Sequence, residues 1–264
     1  MQLVETEAIF DSHAHFDDPA CAPHELAVEL GHLPAWDGAV SAGFGPERFA
    51  GSRAICSAEP RLQRALGLHP WWLASHTEAA REAGWAELRA ELDLGDAVAI
   101  GETGVDKGRR ELMATDLQIR WFNRHLHEAR RRNLPLVLHI VGWHGHAIAA
   151  LARAGGNWRG VVHRFSGAAE LVRDYVALGL SVSLALEPRA DPIAREAIAR
   201  AVPSDRLLLE TDWPCRGLRY PAAVAELRAL ALQIAQWRAQ DASSLVALTR
   251  RNALALFAPQ VHTQ

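Results

Sequence analysis

Short apolar runs alternate with longer amphipathic stretches along this chain. The runs are Ala8–Asp11, Gly38–Ser41, Arg64–Leu68, Val98–Gly101, Leu136–His139, Gly160–His163, Leu180–Leu184 and Leu207–Thr211. Each is close to continuously apolar instead of alternating, as in a strand covered on both faces of a parallel sheet. Between them, stretches such as Glu111–Asn133 and Ala168–Leu178 carry apolar residues at helical spacing. Eight strand–helix alternations predict a (β/α)₈ barrel of the TIM type. An open doubly wound sheet would carry a glycine-rich phosphate loop after its first strand, and FDSHAHFD has none. No internal repeat or low-complexity segment divides the chain, and Pro214–Pro221 reads as a strand-to-helix loop over the barrel top. The expectation is one barrel domain over residues 1–264, near the common size of about 250 residues for this architecture.

Ligand-type residues sit where these runs end. His13 and His15 follow the first, His69 the third, Glu102 the fourth, His139 the fifth, His163 the sixth and Asp212 the eighth. The C-terminal ends of barrel strands converge on one face, so these side chains are expected to meet. In extended backbone, residues i and i+2 point to the same side, which lets His13 and His15 grip one ion. Glu102 and Asp212 each end an apolar run, where a carboxylate is costly unless paired or coordinated. Taken singly, each position has an ordinary explanation as a hydrogen-bonded loop residue, a helix cap or an ion-pair partner. Taken together, four imidazoles and two carboxylates suit two divalent ions with a solvent molecule between them.

Composition narrows the picture in three ways. The formal charge is −3, from 28 basic and 31 acidic residues, so no basic surplus marks a nucleic-acid surface, although a local basic cleft is compatible with it. Cys21, Cys56 and Cys215 lack metal-finger spacing and read as reduced thiols of a cytoplasmic protein. The first residues show no basic region leading into an apolar core, and no apolar run approaches the ~20 residues of a membrane span. Nine tryptophans include the adjacent pair Trp71 and Trp72, suited to packing or to flanking a site.

Seven ordered motifs resemble the TatD-type metal-dependent hydrolases, the TatD DNases, within the amidohydrolase-like barrels. They are FDSHAHFD, ALGLHP, AIGETGVD, QIRWFNRHLHEARRRNLPLVLH, VVHRFSG, LLLETDWP and TRRNALALF. The resemblance implies one or two divalent ions, Mg²⁺, Mn²⁺ or Zn²⁺. His13, His15 and Asp212 would hold one, Glu102 would bridge, and His139 and His163 would hold the second. It also implies phosphodiester hydrolysis by a metal-activated water, of the kind that trims DNA 3′ to 5′. Asp212, Glu102 and His69 would be catalytic. Asp212 would orient or deprotonate the water, and His69, not itself a ligand, would face the phosphate or the leaving group. Glu210 and Thr211 would support the ligands from behind.

Departures from that family's pattern bear on the substrate. The family's arginine two residues after the fifth-strand histidine is Val141 here, with His144 and His146 nearby. Arg164, beside Ser166, and Lys107, Arg109 and Arg110 of KGRRELM are the candidate phosphate contacts, whereas Glu187 would repel a phosphate. The leading reading is a nuclease or phosphodiesterase acting on DNA or another phosphodiester. A hydrolase of a small amide, lactone or ester stays open beside it, as does a non-catalytic barrel subunit of a larger assembly.

Overall fold

The computed structural model describes residues 7–19, 23–187 and 189–258. Eight parallel strands follow one another around a sheet in chain order. They are β1 (Ile9–Ala14), β2 (Trp36–Ser41), β3 (Leu62–Leu66), β4 (Ala97–Asp106), β5 (Leu136–Val141), β6 (Gly160–Val162), β7 (Ser181–Leu184) and β8 (Leu207–Leu209). Helices separate them: α1 (Pro23–Gly31), α2 (Pro46–Ala58), α3 (Pro70–Ser75), α4 (Glu78–Leu92), α5 (Thr115–Arg132), α6 (His144–Arg153), α7 (Leu171–Ala177), α8 (Pro192–Ala201), α9 (Tyr220–Trp237) and α10 (Ala242–Phe257). This is the (β/α)₈ barrel that the alternation predicts.

Local chemistry sets the helix ends. Thr77, Asp191 and Asp241 accept backbone N–H bonds at the starts of α4, α8 and α10, and proline opens α2, α3, α8 and α9. Asn133, at φ 54°, ends α5 in the left-handed region, close to the end read from the sequence, whereas the start of the stretch Glu111–Asn133 is not helical and α5 begins at Thr115. Likewise the stretch Ala168–Leu178 is helical only over Leu171–Ala177.

Two apolar layers hold the barrel. Helices pack on its outside through residues such as Trp85, Trp121, Phe122, Tyr175 and Leu230. A separate cluster takes Phe10, Val40, Ala65, Ala99, Val137, Val161 and Leu208, one from each of seven strands, and packs them against Ala253 and Phe257 of α10. The ladder breaks between β8 and β1, and side chains and loop backbone seal it. Asp11 accepts from the backbone N–H of His13 (3.2 Å) and Thr211 (2.9 Å), from the Thr211 hydroxyl (2.6 Å) and from Tyr220 (3.0 Å). Ser12 donates to the Leu209 carbonyl (2.9 Å), and the backbone N–H of Asp212 to that of His13 (3.0 Å).

Strand ends differ from the sequence reading where ligands are concerned. β1 runs on to Ala14 and β4 to Asp106, so His13 and Glu102 lie inside strands and not beyond them. Thr103–Asp106 pair residue by residue with Leu138–Val141, which carries β4 past the polar residues that disguise it. Gly104 permits this: a Cβ there would stand 2.0 Å from the His139 carbonyl oxygen. None of the described helices is long and apolar enough to cross a membrane.

Buried His125 of α5 ties the outer layer to the β3 end. Its Nε2 accepts from the Leu68 N–H (3.1 Å), and its Nδ1 donates to the Trp121 carbonyl (2.8 Å). Burial pushes its pKa down to about 4. With the folded pKa below the ordinary value near 6.5, the folded protein binds fewer protons than the unfolded chain between those limits. Its contribution is therefore complete above about pH 6.5 and disappears as pH falls toward 4, a loss on the order of 3 kcal/mol. His125→Gln should flatten that part of the acid dependence, read from urea unfolding at pH 7, 6 and 5. An unchanged slope would remove His125 from the account.

Candidate metal centre

Glu102 has no solvent exposure, and imidazole nitrogens surround its two oxygens. Oε2 lies 3.3 Å from His13 Nε2 and 3.4 Å from His15 Nε2. Oε1 lies 2.7 Å from His139 Nδ1, 2.8 Å from His163 Nε2 and 3.1 Å from His69 Nε2. Asp212 Oδ1 stands 3.7 Å from both His13 and His15 Nε2. Asp212 reaches in from the turn after β8 with φ 53°, a left-handed backbone that aims its carboxylate at β1. The structure thus brings all six expected ligands together at one end of the barrel.

Groups behind the rings favour a proton on each outer nitrogen. His15 Nδ1 faces the Ala42 carbonyl at 3.1 Å and His139 Nε2 faces Asp106 Oδ2 at 3.2 Å, while His163 Nδ1 lies 3.5 Å from Glu210 Oε1 as an ion-pair neighbour. A ring that keeps only that outer proton presents a lone pair inward. His69 is arranged the other way. Its Nδ1 accepts from the Trp71 N–H (2.9 Å), so Nε2 carries the proton and donates to Glu102. Although His69, Glu102 and His139 are close enough to share an ion, this tautomer removes His69 from the ligands, as the sequence reading expects.

The donor set fits divalent ions. Glu102 Oε2 is a buried oxygen with no hydrogen-bond partner, and ring nitrogens aimed at a carboxylate need a proton or a cation between them. Two atoms each about 2.1 Å from one ion lie roughly 3.0–3.4 Å apart for right-angle to tetrahedral geometry, and the distances above bracket that span. His13, His15 and Asp212 form one group with ligand atoms mutually within 4.8 Å. Electrostatics point the same way. Burial opposes ionisation of Glu102, but interaction with the surrounding imidazoles outweighs it and holds the carboxyl well below its usual range. Burial likewise opposes protonation of His163, yet Glu102 and Glu210 raise its pKa well above the ordinary value, so the ring carries a proton that a bound cation would displace. For His69 burial wins and pushes the pKa down to about 4, so it is neutral at pH 7.

Above the cluster opens a cavity of about 770 Å³, lined by His15, Phe44, Arg48, His69, Trp71, Val141, Arg164, Ser166, Glu187, Asp212 and Cys215, among others. Arg164 donates from Nη1 to Asp212 Oδ2 (2.6 Å) and from Nε to Glu187. Arg48 faces Asp18 at 3.4 Å. Lys107 and Arg109 fall outside this lining: Lys107 packs against Gly142, and Arg109 lies over the Trp71 ring. Arg110 pairs with Glu111. His144 bonds to Tyr175 and His146 packs on Trp143, so neither replaces the arginine absent at Val141. Cys21 lies outside the described residues.

Sequence reasoning missed Asp106 and Asp11. Asp106 ends AIGETGVD, and its place at the end of a longer β4 was the available signal. Asp11 opens the D-x-H-x-H pattern and holds Thr211 against β1, as described above. Thr211 is thus a support of the seam, and Glu210 lies behind His163, its carboxylate taking the Ser183 hydroxyl.

Residues 10–258 match the family described as TatD related DNase. The chain belongs to that family. Among its TatD relatives, the "Uncharacterized metal-dependent hydrolase YjjV" of Escherichia coli (strain K12) is 33% identical over 221 residues, 77% of this chain and 78% of the relative. The "3'-5' ssDNA/RNA exonuclease TatD" of Rahnella sp. (strain Y9602) is 34% identical over 208 residues, 73% and 75% of the two chains. The crystal structure of the E. coli YjjV protein superposes with a TM-score of 0.80 at 26% identity, covering 96% of this chain and 98% of that one. The protein is a TatD-family metal-dependent hydrolase.

If Asp106 holds His139 in its ligand tautomer, Asp106→Ala should weaken metal binding about 10- to 100-fold. Glu102→Ala should lower the number of ions bound per chain, counted by elemental analysis after dialysis against Mn²⁺ or Zn²⁺. Full stoichiometry in Glu102→Ala would disconnect that carboxylate from the metal.

Proposed function

We propose that this chain is a metal-dependent phosphodiesterase that removes nucleotides from the 3′ end of single-stranded nucleic acid. The observation that carries the reading is the unpartnered Glu102 Oε2 within a ring of imidazole nitrogens. The exonuclease named among the relatives supports the substrate class. His13, His15 and Asp212 would hold one ion and His139 and His163 a second, with Glu102 in reach of both groups. Divalent ions there would supply a water of lowered pKa and positive charge for the phosphate oxygens.

The chain's own residues do the remaining work. Asp106 and Glu210 orient His139 and His163, and neutral His69 holds Glu102 in place through its Nε2 proton. Arg164 spans Asp212 and Glu187, two carboxylates that occupy the guanidinium until a phosphate arrives. A phosphate beside Ser166 offers Arg164 charged oxygens and frees Asp212 Oδ2 to accept the proton of the attacking water. Arg164 thereby does the work of the arginine replaced by Val141, while Lys107 and Arg109 contribute from the rim. A cavity of this size accepts about one nucleotide, which suits cleavage at a chain end. We further propose that one barrel unit acts in the cytoplasm, a compartment that suits the free thiols Cys56 and Cys215.

One observation favours a second reading, hydrolysis of a small ester, lactone or amide. Among the described residues, both guanidinium groups lining the cavity face carboxylates, and exposed Val141 makes part of the mouth apolar.

Release of mononucleotides from a 3′-labelled single strand with Mg²⁺, Mn²⁺ or Zn²⁺, abolished by excess chelator, is the expected outcome. Cleavage of small esters or amides with no nucleotide release would replace the first reading with the second. Asp212→Asn keeps the shape but removes the basic oxygen, so kcat should fall at least 100-fold with KM little changed. Arg164→Ala should raise KM about 10-fold or more and flatten its salt dependence. An unchanged KM and salt slope would refute the assignment of Arg164 to phosphate.

A further inference from the structure

We propose that the Trp71 indole is the stacking platform for the base of the departing nucleotide, an inference that rests on the nuclease reading above. Trp71 and Trp72 open α3 side by side and have opposite fates. Trp72 is buried in the core, whereas Trp71 is 43% exposed and lines the cavity. A large aromatic surface left to water at the mouth of a site is a binding surface waiting for a flat apolar partner.

Its surroundings hold this ring still. The Trp71 backbone N–H donates to His69 Nδ1 at 2.9 Å, and the indole Nε1 donates to Asp106 Oδ2. The same Asp106 oxygen faces His139 Nε2 at 3.2 Å, so one carboxylate anchors both the platform and a candidate metal ligand. The Trp71 and His139 rings lie 6.2 Å apart, centroid to centroid, which puts the platform within one nucleotide's reach of the metal-facing nitrogens. Arg109 lies 4.3 Å from the ring centroid and stacks a cation on the indole. Val141, on the next strand and 41% exposed, adds apolar surface at the rim where the family's arginine would have placed a charge.

The lining also says what kind of recognition to expect. Among the described residues it contains no asparagine or glutamine, which pair with adenine edges, and its two guanidinium groups, which could pair with guanine, face carboxylates. Stacking without edge contacts tolerates any base and favours the larger purines. The platform therefore takes a nucleobase as a flat ring, and the sugar–phosphate extends from it toward Arg164.

Calorimetric titration of the Mn²⁺-loaded protein with dAMP, dTMP and 2-deoxyribose 5-phosphate tests this without turnover. The wild type should bind dAMP about 5- to 100-fold more tightly than the sugar phosphate, with dTMP between them. Trp71→Ala should bring that ratio close to one, while Trp71→Phe, which keeps a ring but loses the N–H to Asp106, should retain most of it. Metal content equal to wild type in both variants separates loss of stacking from damage to His139. A wild-type ratio near one, or a ratio unaltered in Trp71→Ala, overturns the platform. Hydrolysis of oligonucleotides ending in a normal or an abasic 3′ unit separates the two ideas. If DNA is cleaved but Trp71→Ala raises KM equally for both ends, the platform fails and the nuclease reading stands. If no oligonucleotide is cleaved while the dAMP preference depends on Trp71, the nuclease reading fails and the aromatic site remains.

Discussion

A carboxylate without solvent contact, Glu102, governs the chemistry of this barrel. Removing such a charge from water costs several kcal/mol unless compensation is built around it. Five imidazoles do so here: His69 turns its Nε2 proton inward, and the other four can set either a proton or a metal ion against the carboxylate. Divalent cations carry more charge than the protons they displace and bind both the carboxylate and the ring nitrogens. The centre therefore suits cations, and Ala42, Asp106 and Glu210 behind His15, His139 and His163 favour the tautomers that leave room for ions.

That arrangement depends on backbone that the rest of the fold makes rigid. Six side chains from five strands meet only because the barrel closes, and closure at β8 and β1 relies on Asp11 and Ser12 and on loop backbone bonds in place of a regular ladder. Asp11 is itself a buried carboxylate. Burial pushes its pKa up to about 7 against the opposing donors Thr211, His13 and Tyr220. Its bonds to the His13 and Thr211 backbones flank Asp212, so the seam and the metal face are one construction. Below them, the cluster of Phe10, Val137 and Leu208 against Phe257 seals the opposite side with apolar contact.

The substrate side follows a different logic. Metal chemistry requires fixed atoms, whereas recognition here depends on groups that exchange partners. Arg164 is held by Asp212 and Glu187 and can leave them only for a better anion. The arginine expected at position 141 is gone, an exposed valine takes its place, and an ordered tryptophan faces the same cavity. The balance of the mouth shifts from charge toward flat apolar surface, which weakens long-range attraction of a polyanion and strengthens contact with a terminal ring.

The sequence alone determined the barrel and pointed to the six residues that meet at one end of it. Apolar runs at regular spacing report strands buried on both faces, and a histidine or acid closing such a run has few reasons to be there apart from coordination. It could not determine where β4 ends, because Glu102, Thr103 and Asp106 are polar residues inside a strand and periodicity reads polarity as a boundary. Only the tertiary structure decided that Asp106 serves both His139 and Trp71, that His69 turns its Nε2 proton toward Glu102, and that Arg109 lies on Trp71 outside the cavity lining. These are relations between side chains brought together from separate strand ends and loops. Residue type fixes what a group can do, but its partner is set by a distance and a proton position that exist only once the barrel has closed.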